Sequence, residues 1–151
     1  MKRFLFWLGM CLCLGVPNLM VILKERSLAM GGRVVYLKLA PVDPRSLMQG
    51  DYMALNYALI PWRADPGWPA KGTLQAQIDS RGVITSWKLG NGDNIIRYSI
   101  EKGKLTIASD AFYFEEGQGA RYSKASYGKF HLSEIGVLTL QGLTNEKLDP
   151  L

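Results

Sequence analysis

Between residues 33 and 143, apolar positions alternate with polar ones in short runs, and most runs end at Gly, Pro, Asp or Asn. Alternation with period two places successive side chains on opposite faces of a strand. Over 33–39, Val35, Leu37 and Leu39 share one face, and Val34, Tyr36 and Lys38 the other. Over 52–57, Met53, Leu55 and Tyr57 are expected to face a core, with Tyr52 and Asn56 on a wetter side. Runs at 74–78 and 83–88 flank the hairpin loop Asp79-Ser80-Arg81-Gly82, and runs at 95–100 and 104–108 flank Glu101-Lys102-Gly103. Residues 112–115 read as a short strand with Phe112 and Phe114 on one face. Residues 118–126 fit no single element; a helical turn there would present Tyr122 and Ala125. A last pair, 127–132 and 137–141, closes around Ser133-Glu134-Ile135-Gly136. About eight short strands at hairpin spacing predict a mainly β domain, an antiparallel sandwich or barrel. The Pro-, Gly- and Trp-rich stretch 60–72 reads as a loop. Its Trp62 and Trp68 either fold back over the sheet or stand clear to meet a sugar or a bilayer interface.

The pattern is different at the N-terminus. Residues 4–23, opening at Phe4 and closing at Leu23, carry no charge and are largely apolar. As a helix rising about 1.5 Å per residue, this run spans roughly 30 Å, the thickness of a bilayer's hydrocarbon core. Lys2 and Arg3 place the N-terminus in the cytoplasm by the positive-inside rule, although Lys24 and Arg26 weaken that bias. The run exceeds the roughly 7–15 apolar residues of a signal peptide, and no small-x-small cleavage site follows it, so an uncleaved anchor is expected. Trp7 lies within it. Pro17 would kink it, and Asn18 is costly in lipid unless another helix partners it. The expected division is 1–30 for cytoplasmic tip, transmembrane anchor and juxtamembrane segment, and 31–151 for an extracytoplasmic β-rich domain.

The formal charge of +5 raises the question of nucleic acid, but its distribution argues against it. Four of the eighteen basic side chains and one of the thirteen acidic ones precede residue 31, so over half the excess flanks the hydrophobic run. No basic run or basic helix follows, and nucleic-acid binding is not expected.

Residues 41–57, PVDPRSLMQGDYMALNY, concentrate turn and strand signals. Pro41 and Pro44 preclude helix there, Asp43 suits the start of a turn, and Gly50-Asp51 is a second turn placed directly before the alternating strand. In structural terms, Asp51 would cap backbone groups and Arg45 would pair with Asp43 or Asp51. Gly50-Asp51-Tyr52 with Leu55 and Tyr57 spells G-D-Y-x-x-L-x-Y, which resembles the signature of the GDYXXLXY family of small bacterial membrane-anchored proteins. Pro41-Val42-Asp43-Pro44-Arg45 resembles that family's lead-in. The block from Phe112 to Gly117 resembles its aromatic-E-G block, with Glu115 standing where glutamine is more usual. Tyr127-Gly128 and Gly142-Leu143 are similar to its closing positions. The resemblance brings no established activity with it. Because such proteins are often encoded beside multi-pass membrane proteins, it implies a partner of that kind.

Little catalytic chemistry can be assembled from these residues. The chain has one histidine, His131, in an alternating strand beside Tyr127 and Lys129, and both cysteines, Cys11 and Cys13, lie in the apolar run. A zinc or copper site and a Ser-His-Asp arrangement are therefore not expected, and no cofactor is implied. There is no phosphate loop, and Gly90-x-Gly92 does not open a helix. Leu47-x-x-Gly50-Asp51 resembles a segment of membrane-anchored signal peptidases, yet Ser46 follows the proline instead of preceding a Met-Pro pair. Glu115 and Glu116 would point to opposite faces of a regular strand, which disfavours a paired-carboxylate site with Asp110.

Binding is the better expectation. Asp43, Arg45, Asp51, Tyr52, Tyr57, Tyr113, Glu115, Glu116, Tyr122 and Tyr127 are the candidate binding residues, on a composition typical of recognition patches. The expected function is a non-enzymatic accessory module for a multi-pass membrane protein, touching lipid through its anchor. A cell-wall glycan or lipid binder using Trp62 and Trp68 is the first alternative, and a Ser46-dependent peptidase the second.

Overall fold

Val35 and Leu37 are 0% and 1% exposed while Val34 is 41% exposed, so the alternation read in the sequence is the alternation in space. These residues belong to β1 (Gly32–Lys38), the first of nine strands in a computed structural model that describes residues 31–40, 52–61 and 63–151. The others are β2 (Tyr52–Ala54), β3 (Lys71–Ile78), β4 (Ile84–Leu89), β5 (Ile95–Glu101), β6 (Lys104–Thr106), β7 (Ala111–Tyr113), β8 (Tyr127–Ser133) and β9 (Leu138–Thr144). One short helix, α1 (Gly119–Tyr122), precedes β8. The hydrophobic run with Phe4, Trp7, Pro17, Asn18 and Leu23 lies outside the described residues. Among the described residues no helix is long and apolar enough to cross a membrane.

Every strand ladder is antiparallel, in three sheets ordered β1-β8-β9, β2-β7 and β4-β3-β5-β6. The two larger sheets meet at one parallel bridge, Tyr36 with Val83, where the Tyr36 N–H donates to Gly82 O at 2.9 Å. The result is mainly β and built as an open half-barrel. Between the inner faces lies a core of Val35, Leu37, Leu74, Ala76, Ile84, Ile96, Tyr98, Leu105, Ile107, Phe130, Leu132 and Leu138. A smaller cluster, Met53, Leu55 and Leu143, is surrounded by Phe112, Phe114, Tyr122 and Ala125.

Turn chemistry sets the first hairpin. The Asp79 carboxylate accepts from the Arg81 N–H at 2.9 Å and the Val83 N–H at 2.8 Å, tying down the loop between β3 and β4. These bonds, that to Val83 foremost, hold the carboxyl below its ordinary pKa.

Several boundaries differ from the sequence reading, three of them through the choice of strand partner. The strand expected over 52–57 pairs as a strand only from Tyr52 to Ala54, because the run changes partners. The Leu55 N–H donates to Asp110 O at 2.8 Å, and beyond it Leu39 and Tyr57 form a bridge flanked by Ala40 N–H to Asn56 O. Lys71 and Gly72, expected in a loop, open β3 because they pair with Ser99 and Tyr98 of β5. The run 104–108 stops pairing at Thr106, although Leu105 and Ile107 are both buried as alternation requires.

The loop before β3 folds back. Trp68 packs edge-on against Trp87 at 5.7 Å between ring centroids and tilts against Tyr98 at 5.6 Å. Trp87 is fixed in turn by its indole N–H donating to Leu59 O at 2.7 Å. Trp62 lies outside the described residues.

Candidate functional site

β2 and β7 bring two distant stretches of the chain side by side. In register, Tyr52 faces Tyr113, Met53 faces Phe112 and Ala54 faces Ala111. Alternation then sorts the pairs. Met53 is buried, whereas the Tyr52 and Tyr113 side chains project to the other face at 40% and 74% exposure. Their ring centroids are 5.7 Å apart with planes at 40°, within the range of favourable aromatic pairs.

Beneath this pair the ridge is firmly seated. Tyr122, supplied by α1, meets Phe112 edge-on and tilts against Phe114, both at 5.0 Å between centroids, and Phe112 and Phe114 are 6.2 Å apart. The Arg121 guanidinium sits over the Tyr122 ring at 5.7 Å. Three aromatic rings thus support the strand that carries Tyr113.

Next to this support lies a cleft of about 490 Å³. Leu39, Met53 and Leu55 provide its apolar surface, while Lys38, Glu146 and Tyr127 contribute polar groups. Tyr127 opens β8, facing Lys38 of β1 on one side and Thr144 of β9 on the other. The following residue, Gly128, is needed for packing: a Cβ there would lie 2.6 Å from the Phe130 ring, which covers the glycine.

Tyr57 serves the interior. Its hydroxyl donates to Ser109 O, and its ring meets Phe130 edge-on at 5.8 Å. Burial, and secondarily the nearby Asp110 carboxylate, push its pKa far above the ordinary value near 10. Asp110 pairs with Lys104 at 2.7 Å, which keeps the carboxyl below its usual range and therefore ionised at neutral pH.

The ten residues singled out in the sequence thus separate. Tyr52 and Tyr113 form the exposed pair; Tyr122 and Tyr127 border the cleft; Tyr57 braces the core. Glu115 and Glu116 are exposed in the turn before α1, where Glu115 accepts from Gln118 Nε2 at 3.0 Å. Asp43, Arg45 and Asp51 lie outside the described residues, as does Ser46. His131 is half-buried in β8. Among the described residues no group of three or more His, Cys, Asp or Glu could hold a metal ion.

In the comparison with known families, the model for the GDYXXLXY protein matches residues 13–143. The chain belongs to the GDYXXLXY family. No curated protein and no solved structure matches it. In this GDYXXLXY protein, the tyrosine that opens the signature strand is the exposed one, while the leucine is core and the final tyrosine is bonded inward.

Proposed function

We propose that this GDYXXLXY protein is a non-enzymatic interaction module, held at the cell membrane by its N-terminal hydrophobic run with its β domain outside. Its partner is a multi-pass membrane protein that packs on the Tyr52–Tyr113 ridge. The observation that carries this reading is the ridge itself: two tyrosines from separate blocks, paired across strands, exposed, and supported from below by Phe112 and Tyr122. Such rings offer large amphipathic contact area with few torsions left to freeze on binding. A platform already fixed by packing lowers the ordering cost of association. The anchor brings the ridge into the vicinity of a membrane partner, which raises its effective concentration. A glycan or lipid surface reached through the tryptophans is less well supported, because Trp68 packs on Trp87 and Tyr98.

The test is photocrosslinking in native membranes, with benzoylphenylalanine placed at position 113 or, as a control, at exposed Thr85 on β4. One multi-pass product at 113, absent at 85 and lost when Tyr52→Ala is added to a chain that still folds, supports the reading. Equal labelling from both positions, or none from 113, removes it.

A further inference from the structure

The sheet β4-β3-β5-β6 carries a second constellation, unrelated to the tyrosine ridge. Register places Lys71 of β3 opposite Ser99 of β5, and Ser99 opposite Thr106 of β6. These three form one row on one face of the sheet. Arg97 is two residues before Ser99 on the same face, opposite Thr73, and is therefore the diagonal neighbour of Lys71. Diagonal neighbours of this kind lie roughly 7–8 Å apart, and like charges set close together across strands oppose folding.

Among the described residues no ion pair to either side chain relieves that repulsion, and neither the Ser99 nor the Thr106 hydroxyl makes a hydrogen bond. Glu101, the other diagonal neighbour of Lys71, stands opposite Lys104 and makes no ion pair with Lys71. The four groups border a concavity of about 630 Å³, formed where β6 gives way to the β8–β9 turn along the edge of β5, and no carboxylate lines it. The turn is pinned there by the Arg97 N–H donating to Gly136 O at 2.7 Å.

We propose that this concavity binds a phosphoryl oxyanion, with Arg97 and Lys71 supplying charge and Ser99 and Thr106 supplying hydroxyl donors. Donors arriving from three strands suit a tetrahedral group that presents three oxygens. The Arg fork takes two of these oxygens and the Lys ammonium acts as a point charge. The hydroxyls of half-buried Ser99 and Thr106, on β5 and the edge strand β6, complete the set. The anion sits between two cations that have no ion-pair partner among the described residues. Free phosphate and the headgroup of an anionic phospholipid share this chemistry.

The experiment uses the isotope-labelled full chain in neutral detergent, with the backbone amide shifts of Ser99 and Thr106 as readout. Inorganic phosphate, a short-chain phosphatidylglycerol and a short-chain phosphatidylcholine are titrated separately. Saturable shifts with phosphate and phosphatidylglycerol alike support the site for the free oxyanion; saturation with phosphatidylglycerol alone supports it for a headgroup. In either case Arg97→Gln and Lys71→Gln each weaken binding at least about tenfold, the loss of one charge-assisted bond. Arg97→Lys recovers part of the affinity, and Lys88→Gln on β4 leaves it unchanged. Phosphatidylcholine binding as tightly as phosphatidylglycerol, affinity surviving both substitutions, or no saturation at millimolar ligand overturns the proposal.

Discussion

Two tyrosines of this domain pack their rings on the core but use their hydroxyls differently, so removing one oxygen from each should have opposite effects. The Tyr57 hydroxyl donates to Ser109 O. The Tyr98 hydroxyl is buried with no hydrogen-bond partner among the described residues, in a side chain only 4% exposed. It lies across Gly72, its cross-strand partner, where a Cβ would come within 2.6 Å of the oxygen. Tyr57→Phe deletes a bond whose acceptor belongs to an exposed residue, so water can take over the carbonyl. The loss is then the net worth of one hydrogen bond, about 1 kcal/mol. Tyr98→Phe deletes a polar atom that gave up its hydration for nothing, a penalty of about 1–3 kcal/mol. Less the few contacts the oxygen makes with its neighbours, the expected gain is about 1 kcal/mol.

At about 4 °C per kcal/mol for a domain of this size, the two variants should melt on either side of the parent, roughly 8 °C apart. The assay is thermal unfolding of the full chain in detergent by circular dichroism, repeated in urea to check that the slope is unchanged. Shifts of the same sign refute the reasoning. A loss of 1 kcal/mol or more in Tyr98→Phe would identify a bonded hydroxyl, with a buried water as its natural partner.

Three further outcomes follow from the same geometry. Because folding raises the Tyr57 pKa above its unfolded value near 10, its contribution is fully present below that pH. Above it, the unfolded state loses the proton while the folded state keeps it, so stability should fall as pH rises, and urea titrations should show a shallower fall in Tyr57→Phe. Gly72→Ala should destabilise the domain by about 1–3 kcal/mol, and Tyr98→Phe should not rescue it fully, because the new methyl also meets ring carbons at 2.8 Å. Asp79→Ala should accelerate hydrogen exchange at the Arg81 and Val83 amides, which lose their carboxylate acceptor, while core amides of β8 keep their protection.

The chain made its faces legible but left its partners hidden, for a physical reason. Which residues point inward depends on neighbours in sequence, and here the shared faces of Val35 and Leu37 and of Met53 and Leu55 were read from alternation alone. Which strand lies beside which depends on closure over long separations, and alternation does not encode that. The division of the 52–57 run between β7 and the end of β1 was therefore invisible, and so was the entry of Lys71 and Gly72 into β3. The same distinction governs the two candidate surfaces. Tyr52 and Tyr113 stood out singly, as aromatic residues inside recognisable blocks, and pairing joined them into a ridge. Lys71, Arg97, Ser99 and Thr106 had no local mark, because a lysine at a loop edge and an arginine in a strand are ordinary surface residues. Only the register, with β3 central and β5 docked on it instead of on β4, turns them into one row. A motif can announce the first kind of surface, whereas the second exists only once the strands are paired.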